Sequence, residues 1–386
     1  MAFGDASFLS RVRGFLIPIG LALLPCAIAP AFGAAALPEE VTVVAKGSGL
    51  FNIELETTVY RPEGPGPFPI VVINHGKAPG NPRFQGRYRP AIAARFFLAR
   101  GYAVVVPMRQ GFSKSSGSYI VGGCNVEGNG REQANDVVAA LDWATAQPWA
   151  DKSRILVVGQ SHGGWTTLAF GTRGYPGVKG LVDFAGGLRQ ENCTSWQQGL
   201  ISGAGNYGAQ TTVPSLWFYG DNDSYWPTPT WKSMFEQYVA GGAKARMVAF
   251  GSFASDSHTM FGSPAGAPIW QPQVQAFLQE IGLPYEPQPA FAQYAADPAP
   301  VASGFAAIDE TDRLPDASPA ALEGYRVFLS HQNPRAFAFS AKGGWGSGWG
   351  RGDTRARALE NCTKKAPEGA CQLYAVDDEV VWAVKP

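Results

Sequence analysis

The chain has 386 residues, with 31 Lys plus Arg set against 31 Asp plus Glu, so it lacks the basic excess of a nucleic-acid binder. Hydrophobic residues make up 45% and charged residues 16%, enough for a large core and contrary to wholesale disorder. The length suits two domains.

Residues 1–34 have the pattern of an export signal. Arg11 and Arg13 give a positive start, Phe15 to Ala29 form a short apolar run, and Ala31-Phe32-Gly33-Ala34 fits a small-residue cleavage site. Pro18 and Pro25 interrupt a run shorter than the roughly 20 apolar residues a membrane span needs. No span is expected in the mature protein. Export agrees with cysteine usage. Once Cys26 leaves with the signal, Cys124, Cys193, Cys362 and Cys371 remain, an even set for an oxidising compartment. Four cysteines allow three connectivities. The local pair Cys362 with Cys371 is favoured, which leaves Cys124 with Cys193. No cysteine spacing matches a zinc site, and no metal is expected.

Val41 to Lys46 and Ile53 to Tyr60 alternate as a hairpin would, before a Pro/Gly turn cluster at 62–67. Phe68 to Asn74 is a continuous apolar run, the pattern of a strand buried on both faces. Tyr102 to Val106, Arg154 to Val158, Val178 to Phe184, Ser215 to Tyr219 and Ala245 to Phe250 continue that series. Helical periodicity lies between or after them at Ala91 to Arg100, Glu132 to Ala146, Thr230 to Val239 and Val274 to Ile281. Alternating strands and helices predict a mostly parallel sheet flanked by helices on both faces, with the ligand site at the carboxyl ends of its strands. This domain is assigned to residues 35–283. Residues 284–320 are rich in Pro and Ala and read as a linker, and residues 321–386 as a small α+β module stapled by Cys362 and Cys371. In that module Arg335 to Ser340 predicts a strand, Asp353 to Lys364 a capped helix, and Cys371 to Trp382 a hairpin. The stretch Gly343-Gly344-Trp345-Gly346-Ser347-Gly348-Trp349-Gly350 reads as a glycine-rich turn, not a phosphate loop.

The strongest chemical signal is Gly159-Gln160-Ser161-His162-Gly163 between a buried strand and a helix. There a serine sits in a strained turn that small neighbours allow to close, with the next backbone N–H aimed at a developing oxyanion. Serine needs a base. Of four histidines, His162 is adjacent to the serine on the same turn, and only His258 satisfies the order serine, acid, histidine within the sheet domain. The orienting acid should lie between them, after a late strand. Asp223 is preferred in Gly220-x-x-Asp223, with Asp221 and Asp183 as alternatives. The N–H of His162 and that of Gly76 or Lys77, in the loop after the Phe68 strand, are the candidate oxyanion donors. His75 reads as structural, and Trp165, Trp196, Tyr225 and Trp226 as candidate pocket walls.

These motifs, with Asn74-His75-Gly76 and Arg109-Gln110-Gly111-Phe112-Ser113, resemble the dienelactone hydrolase and prolyl oligopeptidase-like branch of α/β-hydrolases over residues 40–283. The resemblance implies an α/β-hydrolase fold, a Ser161–Asp223–His258 triad, and hydrolysis of a small-molecule ester or peptide without a cofactor. Dienelactone hydrolases proper use cysteine where this chain has Ser161, and no propeller precedes the domain. An esterase is favoured over a peptidase. A non-catalytic binding protein on a hydrolase scaffold is the alternative of a different class.

Overall fold

The computed structural model describes residues 37–382 apart from 48–51, 190–191, 296–299, 301, 341, 351–352 and 367–369. The export segment assigned to residues 1–34 lies outside the described residues.

Eight strands form one sheet in the order β1-β2-β4-β3-β5-β6-β7-β8. β1 (Glu39–Lys46) and β2 (Ile53–Tyr60) make the expected antiparallel hairpin, and β2 continues antiparallel onto β4 (Ala103–Pro107). From there the sheet is parallel through β3 (Phe68–Asn74), β5 (Ala150–Gln160), β6 (Val178–Phe184), β7 (Ser215–Tyr219) and β8 (Ala245–Ala249). The strand period of two divides the apolar residues of the parallel strands between two cores. Ile70, Val72 and Val157 face α2 (Val126–Thr145), α3 (His162–Gly171), α4 (Trp196–Gly208) and α5 (Thr228–Ala240). Val71, Ile73 and Val158 face α1 (Ala91–Leu98) and α6 (Ala267–Glu280). The chain runs outward from β3 to β4 and returns past β3 to β5. The switch point therefore lies between the ends of β3 and β5, where a crevice opens in folds of this kind.

Two helices extend beyond the sequence expectation. α2 begins at Val126 rather than Glu132, because the Asn125 side chain accepts from the Gly128 N–H at 2.8 Å and caps it early. α4 lies where the sequence assigns no element. Its glycines conceal helical periodicity, yet they let α4 lie against α5: a Cβ at Gly208 would run into the Tyr238 carbonyl.

A second, four-stranded antiparallel sheet forms the C-terminal module, in the order β10-β9-β11-β12. Its strands are β9 (Arg335–Phe339), β10 (Trp345–Trp349), β11 (Gln372–Val376) and β12 (Glu379–Val380). α7 (Pro319–Ser330) packs on one face with Phe337, Phe339 and Tyr374. α8 (Thr354–Lys365) packs on the other with Ala336, Ala338 and Cys362, its first turn capped by Asp353. The glycine-rich turn expected at 343–350 is corrected here, since its centre is strand β10. Gly346 and Gly348 alternate with larger residues and face α8, where a Cβ would strike the helix backbone. Of residues 284–320, Tyr285, Phe291 and Tyr294 pack on the sheet domain, whereas Phe305, Ile308 and Leu314 pack in the module.

The disulfides are Cys124–Cys193 and Cys362–Cys371. Among the described residues no helix is long and apolar enough to cross a membrane.

Candidate active site

Ser161 joins β5 to α3 with φ 57° and ψ −125°, a backbone state that side-chain-bearing residues rarely occupy. The surrounding glycines make the turn possible. A Cβ at Gly159 would collide with the Gly163 carbonyl, one at Gly163 with the Asn74 carbonyl, and one at Gly164 with Asp183 Oδ1. The pentapeptide is thus a packing requirement of the strand ends. Ser161 N–H donates to the Phe184 carbonyl at 2.8 Å, and the Ser161 carbonyl accepts from Gly187 N–H at 3.1 Å. Both backbone groups of the serine are therefore held by the end of β6 and the loop that follows it.

His258 lies in the 3-10 turn Ser257–Gly262 beyond β8, and its Nδ1 lies 2.9 Å from Asp223 Oδ2. The other carboxylate oxygen of Asp223 accepts from Tyr225 N–H at 2.8 Å and Trp226 N–H at 3.0 Å. Both lobes of this side chain are occupied and it is fully buried, which fixes the imidazole's orientation. Asp223 is thus the aspartate that meets His258. Asp221 is exposed, and the Asp183 carboxyl contacts Tyr219. The Gln160 side chain donates to the His258 carbonyl at 2.9 Å, tying the elbow to the histidine turn. Among the described residues the Ser161 hydroxyl and the His258 ring are not hydrogen-bonded to each other. Such contacts commonly close only when substrate is bound.

On the β3 side, a Cβ built on Gly76 would lie 3.2 Å from Ser161 Cβ, so the backbone of this loop passes directly over the serine. His75 holds the loop. Its Nε2 accepts from Arg109 N–H at 3.0 Å, which places the ring proton on Nδ1, 2.7 Å from the Gly76 carbonyl. Lys77 turns away, its Nζ donating to the Ala78 and Gly80 carbonyls at 3.2 and 3.1 Å. His162 is fully enclosed beside Asn129, and burial, then Arg109, His75 and Lys77, hold its pKa well below the ordinary value. It is neutral and contributes its backbone to the elbow. The Arg109 guanidinium is buried against Gln133 at 2.7 Å, and burial lowers its pKa to about 10.

A parallel sheet with a serine elbow behind β5, a buried acid behind β7 and its histidine behind β8 is decisive. The domain has the α/β-hydrolase fold. The sequence model of the X-Pro dipeptidyl-peptidase (S15) family matches residues 49–226, under half of the chain, and stops before His258. Among curated proteins, none matches the sequence. Solved structures similar to this α/β-hydrolase include a Klebsiella pneumoniae protein described as a dienelactone hydrolase, with 19% identity and a TM-score of 0.46, covering 64% of this chain and 99% of that one. A Pyrococcus furiosus esterase has 16% identity and a TM-score of 0.45, covering 63% and 90%. The Pyrococcus horikoshii acylaminoacyl peptidase has 18% identity and a TM-score of 0.47, covering 64% of this chain and 43% of its own.

The candidate site includes residues that the sequence did not single out. Asp256 accepts from His258 N–H at 3.0 Å and from the Ser224 hydroxyl at 2.7 Å, joining the histidine and acid loops. Asn222 makes a second link, accepting from Phe253 N–H at 2.9 Å. An Asp one turn before a loop histidine was the available signal. Of the four candidate wall residues, Tyr225 and Trp226 stand 4.5 and 6.1 Å from the His258 ring, and Trp196 leans on Trp226. Trp165 is a correction. It is fully buried against Tyr207, with its indole N–H on the Val126 carbonyl, and is core. Among the described residues no cluster of three or more His, Cys, Asp or Glu could hold a metal.

Proposed function

We propose that this chain is an exported serine hydrolase that cleaves carboxylic esters through an acyl-enzyme. The observation that carries the reading is the strained Ser161 elbow, tied through Gln160 to the turn that carries the Asp223-oriented His258. His258 Nε2 takes the Ser161 proton as Oγ attacks the carbonyl carbon, while Asp223 holds Nδ1–H and stabilises the imidazolium. The N–H of His162 and that of Gly76 or Lys77 receive the oxyanion, each donor supplying about 3 kcal/mol. The imidazolium then protonates the departing alkoxide. Water, activated by the same histidine, attacks the acyl-enzyme and frees the serine.

Peptide cleavage is the second reading, favoured by the S15 family match. A dipeptidyl peptidase must also anchor its substrate's free amine, a task for carboxylates. Cations act on this region as well: Arg109 and Lys77 depress the pKa of His162 beside the serine, and Arg189 stacks 5.3 Å from the Trp196 ring. That environment suits a neutral or anionic acyl substrate better. Two disulfides support residence in an oxidising compartment, with residues 1–34 as the leader and 284–320 as the linker to the 321–386 module.

Fluorophosphonate labelling of the wild type, Ser161→Ala and His258→Ala tests the nucleophile. Labelling of the wild type alone is expected, and equal labelling of Ser161→Ala would refute the assignment. Comparing a short-chain nitrophenyl ester with an Xaa-Pro anilide then separates esterase from peptidase. N-terminal sequencing of protein from an exporting host tests the leader, with a start near Ala34 expected.

A further inference from the structure

Asp183 takes no part in the mechanism above, yet it is fully buried at the end of β6, one strand from the serine. Its Oδ2 lies 3.0 Å from the Tyr219 hydroxyl, and that same hydroxyl lies 2.6 Å from the Gly186 carbonyl. Oδ1 makes no hydrogen bond of full geometry among the described residues, the Gly186 amide acting on the carboxyl only weakly, and it packs against Gly164 of α3 and Gly186, at both of which a Cβ would collide with it.

Proton counting decides the state of this cluster. Three oxygens in a row, those of the Asp183 carboxyl, Tyr219 and Gly186, make two short contacts and need two protons. The Tyr219 hydroxyl supplies one. The Gly186 carbonyl can only accept, so the second proton must be on Asp183, giving Asp183 O–H to Tyr219 O and Tyr219 O–H to Gly186 O. If Asp183 ionises, its proton goes to solvent and the Tyr219 proton turns to the carboxylate. The Gly186 carbonyl is then left 2.6 Å from an oxygen with no hydrogen between them.

Gly186 belongs to the loop that holds the nucleophile. Phe184 accepts from Ser161 N–H, Gly187 donates to the Ser161 carbonyl, and Ala185 between them has φ 47° and accepts from the Trp226 indole at 2.7 Å. Trp226 in turn donates its backbone N–H to Asp223. The titratable groups that face Asp183 from the packed elements are Tyr219 of β7 and Tyr238 of α5, with Asp223 acting on it through Tyr219. No cation is among the causes of its shift.

We propose, resting on the Ser161 reading above, that Asp183 is a positioning residue that works as a neutral acid, donating through Tyr219 to clamp the Gly186 loop that fixes both Ser161 and Trp226. Burial supports this state, raising the Asp183 pKa to about 8 against the pull of Tyr219 and the Gly186 amide. Tyr219 keeps its proton, since burial and then Asp183 push its pKa well above the ordinary phenol.

The test compares the full-length wild type with Asp183→Asn and Tyr219→Phe. The rate of fluorophosphonate labelling at Ser161 is followed from pH 6 to 10, with the protonated-carboxyl infrared band recorded in parallel. In the wild type the labelling rate should fall about tenfold as the band disappears. Asp183→Asn, whose amide can still donate to Tyr219, should lack the band, keep its neutral-pH rate within about threefold and lose the alkaline fall. Tyr219→Phe should lower kcat about tenfold with KM little changed. An Asp183→Asn profile with the wild-type alkaline fall would overturn the proposal, as would absence of the band at pH 6. A wild type that shows the band but never labels would remove the hydrolase reading and, with it, the positioning role. An unchanged band with normal labelling in Tyr219→Phe would remove only the clamp.

Discussion

In the loop after β7, Asp223 is met by two backbone N–H groups and an imidazole, so both its oxygens have partners. One strand away, at the end of β6, Asp183 is met by one phenol and by glycine backbone, and an extra proton completes its bonding. Both side chains are buried to the same degree. What separates them is the supply of donors: Asp223 is ringed by partners, whereas Asp183, on the proposal above, supplies its own proton. Burial alone therefore says little about a carboxyl's role. The count of N–H and O–H groups around it says more.

The largest break in this comparison is Asp223→Asn, which should cut kcat by about 10⁴ because the amide presents the wrong hydrogen-bonding pattern to His258. Steady-state ester hydrolysis against Asp183→Asn at pH 6 reads the contrast directly. Next in size is Gly164→Ala, whose new methyl group meets Asp183 Oδ1 and should cost about 3 kcal/mol in chemical denaturation. The loss should shrink in an Asp183→Ala background, where the obstructing oxygen is gone. Asp256→Ala unties the acid and histidine loops and should lower kcat about tenfold while leaving the protein folded by circular dichroism.

The smallest effect is on stability against pH. Raising the Asp183 pKa from 3.8 to about 8 means that the folded state holds a proton the unfolded chain has released. The stabilisation is complete below the unfolded value and is lost as pH rises through the folded one. Between pH 7 and 9 the wild type should lose about 1 kcal/mol more than Asp183→Asn, read from urea midpoints at each pH. Equal losses would mean that the carboxyl is already ionised at neutrality.

Much of this arrangement is legible in the sequence, for identifiable reasons. Buried strands show as short, largely apolar runs, so Phe68–Asn74, Val178–Phe184 (despite Lys179 and Asp183) and Ser215–Tyr219 match their sequence ranges residue for residue. The elements that escaped are the glycine-rich ones. In α4 and β10 glycine supplies closeness to a neighbouring backbone, and that neighbour is distant in the chain. The site divides in the same way. Ser161 is marked by its flanking residues, and the order serine, acid, histidine narrows the rest. Asp256 is hinted at only by its place two residues before His258 and Asp183 only as an alternative acid, because both gain their meaning from Ser224 and Tyr219, 32 and 36 residues away.

The backbone angle at Ser161 has a consequence for directed evolution. A positive φ with ψ near −125° suits glycine far better than serine, and such strain is worth about 1–3 kcal/mol. Ser161→Gly should therefore melt at a higher temperature than the parent while labelling with nothing. Any library of this protein sorted for heat resistance alone will enrich inactive clones first at this codon. Selections for a hardier catalyst need an activity gate from the opening round.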